Sequence, residues 1–300
     1  MTLKNNKIFV GILVLLVITV LVICGKALFN RVNLAHQPFK IPILTYHHIQ
    51  NADLSRESKL DFDLEVSPQI FDRQMAYIKN KGYSPILSSQ MVDFIYSNKV
   101  LPPNPILITV DDGYKDNVQN ALPILLKYNF KANFEIPVKA LGMPGYMTWD
   151  DLKILRDSGM GIDSHSLNHC TLAFDNPNRI TRFFKPTLDI ENSGVGDTAG
   201  CATFGQKTRL NLGQVTTELR DSKKILEENL GITVETFAYP FGNYNQQVLD
   251  IARKEGYKLG YTTLDQDSRY QVDLGKPLEL PRYHVFGQQE GHLDGFFSTE

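Results

Sequence analysis

The chain has 300 residues, 42% of them apolar, with 31 Lys+Arg against 33 Asp+Glu and a formal net charge of −2. Near-neutral charge without a long basic run excludes a chain that binds nucleic acid through its electrostatics. Ordinary apolar content excludes a disordered one, and the length suits a single α/β barrel with extras.

Ile8 to Cys24 is an almost unbroken apolar run preceded by Lys4 and Lys7. Its length is near the minimum for a bilayer span, and the lysines orient the bulk of the chain outward. The run lacks a small-x-small cleavage site, and Ile23 stands where a lipoprotein signal needs a small residue. The expectation is one uncleaved transmembrane helix over 8–24 after a cytoplasmic stub at 1–7 and before a linker at 25–40. Cleavage would instead release a secreted form. Of the three cysteines, Cys170 and Cys201 either pair in an oxidising exterior or stay free.

The folded part begins at Ile41-Pro-Ile-Leu-Thr-Tyr-His47-His48, an apolar strand ending in two imidazoles. These either hydrogen-bond to nearby backbone or serve a site. Ser67-Pro68 reads as an N-cap with proline at N1. Phe71, Met75 and Ile78 then recur at helical spacing up to Gly82. Ser89 to Asn98 reads as a second helix. Pro105 to Val110 is a β-branched, apolar run that ends abruptly in Asp111-Asp112-Gly113. A buried strand delivering two adjacent carboxylates to its C-terminal edge needs a neighbouring positive charge, and a metal ion supplies one. Asp-Gly turn chemistry alone is the plainer alternative.

Asn117 to Tyr128 reads as a helix that Pro123 either kinks or starts. A strand follows at Ala132 to Ile136, and then a helix capped by Thr148. Asp150 and Asp151 lie in its first turn, where the helix dipole favours them. Trp149, the single tryptophan, lines a sugar groove or fills the core. A short strand from Met160 runs into His165-Ser-Leu-Asn-His169. Two histidines four apart share a face if the chain turns helically there, which is metal-ligand spacing. Residues 173–211 carry no periodicity and form a long loop. Val215 to Leu230 reads as a helix stopped by Gly231. Thr236-Phe-Ala-Tyr239-Pro-Phe241-Gly is a strand ending in a tight turn, which can aim a backbone N–H at a developing oxyanion. A helix over Gln246–Gly256, a strand over Lys258–Thr262 and a last strand over Leu278–Val285 complete the pattern.

Thr-Val-Asp111-Asp112-Gly, His165-Ser-x-x-His169 and Tyr-Pro-Phe241-Gly, in this order, resemble the polysaccharide deacetylase family, also called NodB-homology or carbohydrate esterase 4. The opening Pro-Ile-Leu-Thr-Tyr-His-His-Ile is similar to its poly-β-1,6-N-acetylglucosamine deacetylase branch. The resemblance spans 41–286, leaving 287–300 as a tail. It implies a distorted (β/α)7 barrel and a divalent metal, usually zinc, with cobalt, nickel or manganese as substitutes. It also implies Asp112, His165 and His169 as ligands, Asp111 as general base and the Phe241 N–H as oxyanion donor. Tyr239 and Trp149 become candidate substrate contacts. The arginine that many members place before the third motif is missing here, where Phe237-Ala238-Tyr239 stands. The catalytic-acid histidine has its nearest match in Leu280-Pro-Arg-Tyr-His284, one residue too long, with His47 or His48 as substitutes.

The function implied is hydrolytic N-deacetylation of an N-acetylglucosamine polysaccharide at the cell surface, with poly-β-1,6-N-acetylglucosamine as first choice and peptidoglycan as second. An O-acetyl-polysaccharide esterase and a non-catalytic carbohydrate-binding protein are the competing readings.

Overall fold

The computed structural model describes residues 41–51, 64–173, 204–205, 210–263 and 272–286. The stub, the apolar run at 8–24, the linker, the tail and most of the 173–211 loop lie outside them. Among the described residues no helix is long and apolar enough to cross a membrane.

Ten strands and six α-helices alternate along the described residues. They are β1 (Ile43–Tyr46), β2 (His48–Ile49), β3 (Glu65–Val66), α1 (Pro68–Asn80), β4 (Ser84–Ile86), α2 (Ser88–Ser97), β5 (Pro105–Val110), α3 (Leu122–Tyr128), β6 (Asn133–Ile136), α4 (Trp149–Asp157), β7 (Gly161–Ser164), α5 (Leu212–Leu230), β8 (Thr236–Ala238), α6 (Gln246–Lys254), β9 (Leu259–Tyr261) and β10 (Tyr283–His284).

Eight of the strands form one parallel sheet in the order β10-β1-β5-β6-β7-β8-β9, with β4 pairing the first half of β5. Its outer edges are joined through the segment before β10. Leu280 bridges Tyr261 of β9, and Tyr283 and His284 then pair with Leu44 and Thr45 of β1. A parallel α/β sheet curling on itself in this way fits the distorted barrel that the resemblance implies. β2 and β3 form a separate parallel pair.

Local chemistry explains the helix boundaries. The Ser67 hydroxyl accepts from the Ile70 N–H at 3.2 Å, and Pro68 occupies the first turn, where its missing N–H costs nothing. Phe71, Met75 and Ile78 of α1 are buried against Ile106, Ile108 and Val110 of β5 in one core. Pro123 marks a true start. Residues 117–121 form a π-turn, and α3 begins at Leu122. Thr148 and Asp151 form a reciprocal cap, the Thr148 N–H donating to Asp151 at 2.7 Å. Asp151 also receives the Lys115 ammonium at 2.6 Å, so its role goes beyond the helix dipole. The last strand is shorter than the sequence suggests. Pro281 interrupts the run, leaving a bridge at Leu280 and two paired residues in β10.

The face opposite the helices carries polar groups. The Thr45 and Thr109 hydroxyls meet at 3.1 Å across β1 and β5. His284 is in register with Thr45, so Thr45, Thr109 and His284 form one row. Asp111 lies one step further along β5 on the same face.

Candidate active site

Asp111 continues the β5 ladder by donating its N–H to the Tyr46 carbonyl at 2.9 Å. The backbone then leaves the strand through two left-handed residues, Asp112 at φ +72° and Gly113 at φ +68°. Strand alternation would put adjacent carboxylates on opposite faces. The turn at Asp112 instead keeps both in the site. Glycine adopts such a conformation freely, but an aspartate held there carries backbone strain, a feature that clusters at functional sites.

The two carboxylates have different partners. Asp111 is gripped by Arg282, whose Nη1 and Nη2 donate to Oδ1 and Oδ2 at 2.6 Å each. Arg282 is 1% exposed and also donates to the Thr109 hydroxyl at 3.0 Å and the Thr262 carbonyl at 3.1 Å. Burial pushes the Asp111 carboxyl up, but the Arg282 charge and its hydrogen bonds outweigh it and hold Asp111 below its ordinary range.

Asp112 Oδ1 faces the histidines, 3.3 Å from His165 Nε2 and 3.0 Å from His169 Nε2. The two Nε2 atoms are 3.1 Å apart. His165 Nδ1 lies 3.0 Å from the Ala238 carbonyl. That carbonyl can only accept, so Nδ1 carries the proton and the Nε2 lone pair faces inward. Burial disfavours the Asp112 carboxylate, and the two imidazoles outweigh it, holding Asp112 well below its ordinary value.

The histidines do not share a helical face as their spacing suggests. Residues 165–169 are irregular, with Ser166 at φ +65° and His169 at φ +54°. A buried glutamate of α5 holds this loop. Glu218 accepts the Asn168 backbone N–H and side-chain amide, each at 2.8 Å. Asp112, His165 and His169 bring their ligand atoms within 4.8 Å of one another. Asp112 Oδ1 is buried with no hydrogen-bond donor. A carboxylate oxygen and imidazole lone pairs aimed at one another fit a divalent cation.

The remaining candidates fall into place unevenly. His284 stacks on His47 with centroids 4.6 Å apart, and on Phe286 at 4.4 Å. His284 Nε2 and His47 Nδ1 are both buried without a partner. Burial, then the His47 charge, pushes the His284 imidazole well below its ordinary value, and burial also lowers His47. His48 is engaged elsewhere, with Nδ1 2.6 Å from Asp116 Oδ2 and its ring stacked on Tyr114 at 3.5 Å. Phe241 sits in the turn after β8 at φ +59°, its ring centroid 4.8 Å from that of His169.

Tyr239 does not offer its side chain to a substrate. It is wholly buried, packed on Phe237 and Tyr244, and its hydroxyl donates to the Leu278 carbonyl at 2.9 Å. Trp149 is half-buried and packs on the core at the start of α4. Buried Cys170 is disulfide-bonded, and Cys201 lies outside the described residues.

Arg282 is the residue that sequence reasoning missed. It grips Asp111 from the position just before β10. Its signal was a charged residue in the apolar Leu278–Val285 run, two positions before His284 and therefore on the same strand face.

Comparison with known proteins agrees with this geometry. The Bacillus subtilis (strain 168) protein YxkH, named for polysaccharide deacetylases, is 28% identical over 227 residues. That match covers 76% of this chain and 66% of the relative, so the chain spans just under two thirds of that protein's length. The poly-β-1,6-N-acetyl-D-glucosamine N-deacetylase of Staphylococcus aureus (strain MRSA252) is 22% identical over 86% of this chain and 84% of its own. Among solved structures, Streptococcus pyogenes deacetylase PplD in complex with acetate superposes with a TM-score of 0.66 and 26% identity, over 87% of this chain and 99% of that one. IcaB from Ammonifex degensii, at 20% identity, shares the fold with a TM-score of 0.61 over 87% of this chain and 97% of that one. Residues 98–260, more than half of the chain and inclusive of both aspartates and both clustered histidines, match the polysaccharide deacetylase profile, and on that ground the chain belongs to the polysaccharide deacetylase family of carbohydrate-active hydrolases.

Proposed function

We propose that the chain hydrolyses the acetamide of N-acetylglucosamine units in a surface polysaccharide, poly-β-1,6-N-acetylglucosamine being the favoured polymer. The observation that carries this reading is the division of labour between adjacent carboxylates. Asp111 is held by Arg282, and Asp112 is turned to His165 and His169. Similarity to the staphylococcal N-deacetylase over 86% of the chain supports the choice of polymer.

Asp112, His165 and His169 would hold the cation, most simply zinc. Bound there, it would polarise the acetamide carbonyl and acidify a water. Asp111, kept ionised by Arg282, takes the proton of the attacking water. The bidentate grip fixes both carboxylate oxygens, so the base is oriented before substrate arrives. The Phe241 N–H, on the turn beside His169, is assigned to the oxyanion.

The departing amine needs a proton, because an amine anion is a very poor leaving group. His284 is assigned as its donor. It stands in the inner row with Thr45 and Thr109, the face on which Asp111 also lies, and takes its proton before the C–N bond breaks. The apolar run at 8–24 is assigned as a membrane anchor with the barrel outside, and the bonded state of Cys170 suits an oxidising exterior.

The test is acetate release by the full chain from a β-1,6-linked N-acetylglucosamine oligomer and from acetylated xylan, with metal analysis of the same sample. Release from the oligomer by protein carrying about one zinc per chain is expected. Activity on the xylan ester alone would overturn the amide reading.

A further inference from the structure

Asp112 stands at φ +72°, in left-handed backbone that a residue with a side chain keeps only when its surroundings enforce it. β5 does not supply that constraint. The strand ends at Val110, and its ladder ends at the Asp111 N–H. The turn must be held from beyond Asp112.

A closed ring of hydrogen bonds lies there. The Met147 N–H donates to the Gly113 carbonyl and the Lys115 N–H to the Gly145 carbonyl, each at 2.9 Å. Between these two bonds, Tyr114 and Tyr146 form an antiparallel bridge. The turn that carries Asp112 is thus laced to residues 145–147. The stretch before them is a run of turns, with Gly142 at φ +83° and Gly145 at φ +86°. Such a stretch is only as firm as the element that anchors its far end, which is α4. Asp151 Oδ2 accepts the Thr148 N–H and the Thr148 hydroxyl, each at 2.7 Å. The Lys115 ammonium closes on the same carboxylate, 2.8 Å from Oδ1 and 2.6 Å from Oδ2. The ring thereby returns to the strained turn.

Capping α4 does not require this lysine, because the reciprocal bonds between Thr148 and Asp151 complete the cap. The Asp151 side chain is 8% exposed and that of Lys115 is 38% exposed. A long, flexible side chain is therefore immobilised on a nearly buried carboxylate, at a cost in rotamer freedom that the cap leaves unexplained.

We propose that Lys115 is a positioning residue for the cation site, its ion pair with Asp151 locking residues 113–115 against 145–147 so that Asp112 stays turned toward His165 and His169. This rests on the reading of those three residues as ligands. Lys115 touches neither cation nor substrate. It denies the turn a relaxation to strand geometry, in which Asp112 would point away from Asp111.

The experiment uses the full-length, metal-stripped protein and reads zinc affinity by chelator competition, beside amide exchange without metal. Lys115→Met keeps the apolar stem and loses the charge. Asp151→Asn keeps an oxygen for the Thr148 N–H and turns an amide donor toward the ammonium. Each is expected to weaken the zinc Kd about tenfold, in the range of other partners that orient ligands. The double variant should weaken it no further than either alone, since the pair acts as one unit. Lys115→Arg, whose fork also fits a carboxylate, should stay within about twofold of wild type. In metal-free protein the Met147 amide should exchange about tenfold faster in both single variants. A lowered melting temperature with unmoved zinc Kd marks a merely structural pair and overturns the positioning role. Additive losses in the double variant, or unaltered Met147 exchange, overturn it as well. A wild type that takes up no zinc, with faster Met147 exchange in the variants, defeats the ligand reading and leaves the lock standing.

Discussion

Arg282 and Asp111 form a buried pair joined by two parallel hydrogen bonds of 2.6 Å, although 171 positions separate them in the chain. The guanidinium fork matches the carboxylate, and its remaining contacts, to the Thr109 hydroxyl and the Thr262 carbonyl, leave it one orientation. Asp111 is thus oriented by the residue just before β10, the strand that pairs on the far side of β1.

Replacing Arg282 with lysine keeps the charge and loses the fork. Turnover should fall about 10–100-fold, as for other partners that orient a reacting group, with metal content unchanged. Arg282→Met, which strands a buried carboxylate, should in addition cost about 3–5 kcal/mol of stability in a denaturant titration. Wild-type kcat in Arg282→Lys would show that Asp111 needs no such orientation.

Asp111→Asn removes the proton acceptor and leaves the Asp112 carboxylate in place. A loss of about 10²–10⁴ in kcat is expected, with zinc affinity retained. Metal lost along with activity would mean that both carboxylates bind the cation.

For His284→Ala the informative measurement is a pair of substrates. Amide hydrolysis should slow by about 10²–10⁴, and hydrolysis of an aryl acetate much less, because a phenolate departs without a proton. Equal slowing of both would move the acid to His47, which stacks on His284.

Glu218→Ala leaves every ligand intact and removes both acceptors of Asn168. The loop carrying His165 and His169 then loses its clamp. Metal affinity measured by chelator competition should weaken about 10–100-fold. Unaltered affinity would mean that the left-handed backbone alone fixes the loop.

Glu135 of β6 faces Asp163 of β7 across the sheet, with both of its carboxyl oxygens unpartnered. Burial, then the Asp163 and Asp111 charges, raises it well above its ordinary 4.5. Folded protein therefore keeps a proton that unfolded chain releases above that value. The stability contributed is whole below pH 4.5 and falls as pH rises toward the raised folded value. Melting temperatures at pH 5 and 8 should show a smaller loss in Glu135→Gln than in wild type. Parallel losses would place the pH dependence elsewhere.

Much of the fold was legible because its signals are local. Ser67-Pro68 starts α1 as its chemistry requires, and Pro123 marks the start of α3. The apolar β5 run needed only its length and β-branching. The clustered residues Asp112, His165 and His169 were legible as types and order, but the means of assembling them was not. His165 and His169 meet through positive φ values at Ser166 and His169, for which no glycine gave notice. The turn likewise begins at Asp112 and not at Gly113 alone. Arg282 and Glu218 were hidden for a different reason. Each acts on a partner far along the chain, and only strand order and helix packing bring them together. Tyr239 shows the opposite failure. Its place in a motif suggested contact with substrate, and the barrel needed its ring and hydroxyl for the core.

The position of β10 has a consequence for how the protein comes to life on the ribosome. Asp112, His165 and His169 are all synthesised more than a hundred residues before Arg282 and His284. A partly made chain can gather Asp112, His165 and His169, but Asp111 lacks its Arg282 partner and His284 is absent until the segment from Leu280 to His284 docks between β9 and β1. On the proposed roles, hydrolytic competence arrives with the closing of the sheet, and a product truncated before that segment is expected to be catalytically silent.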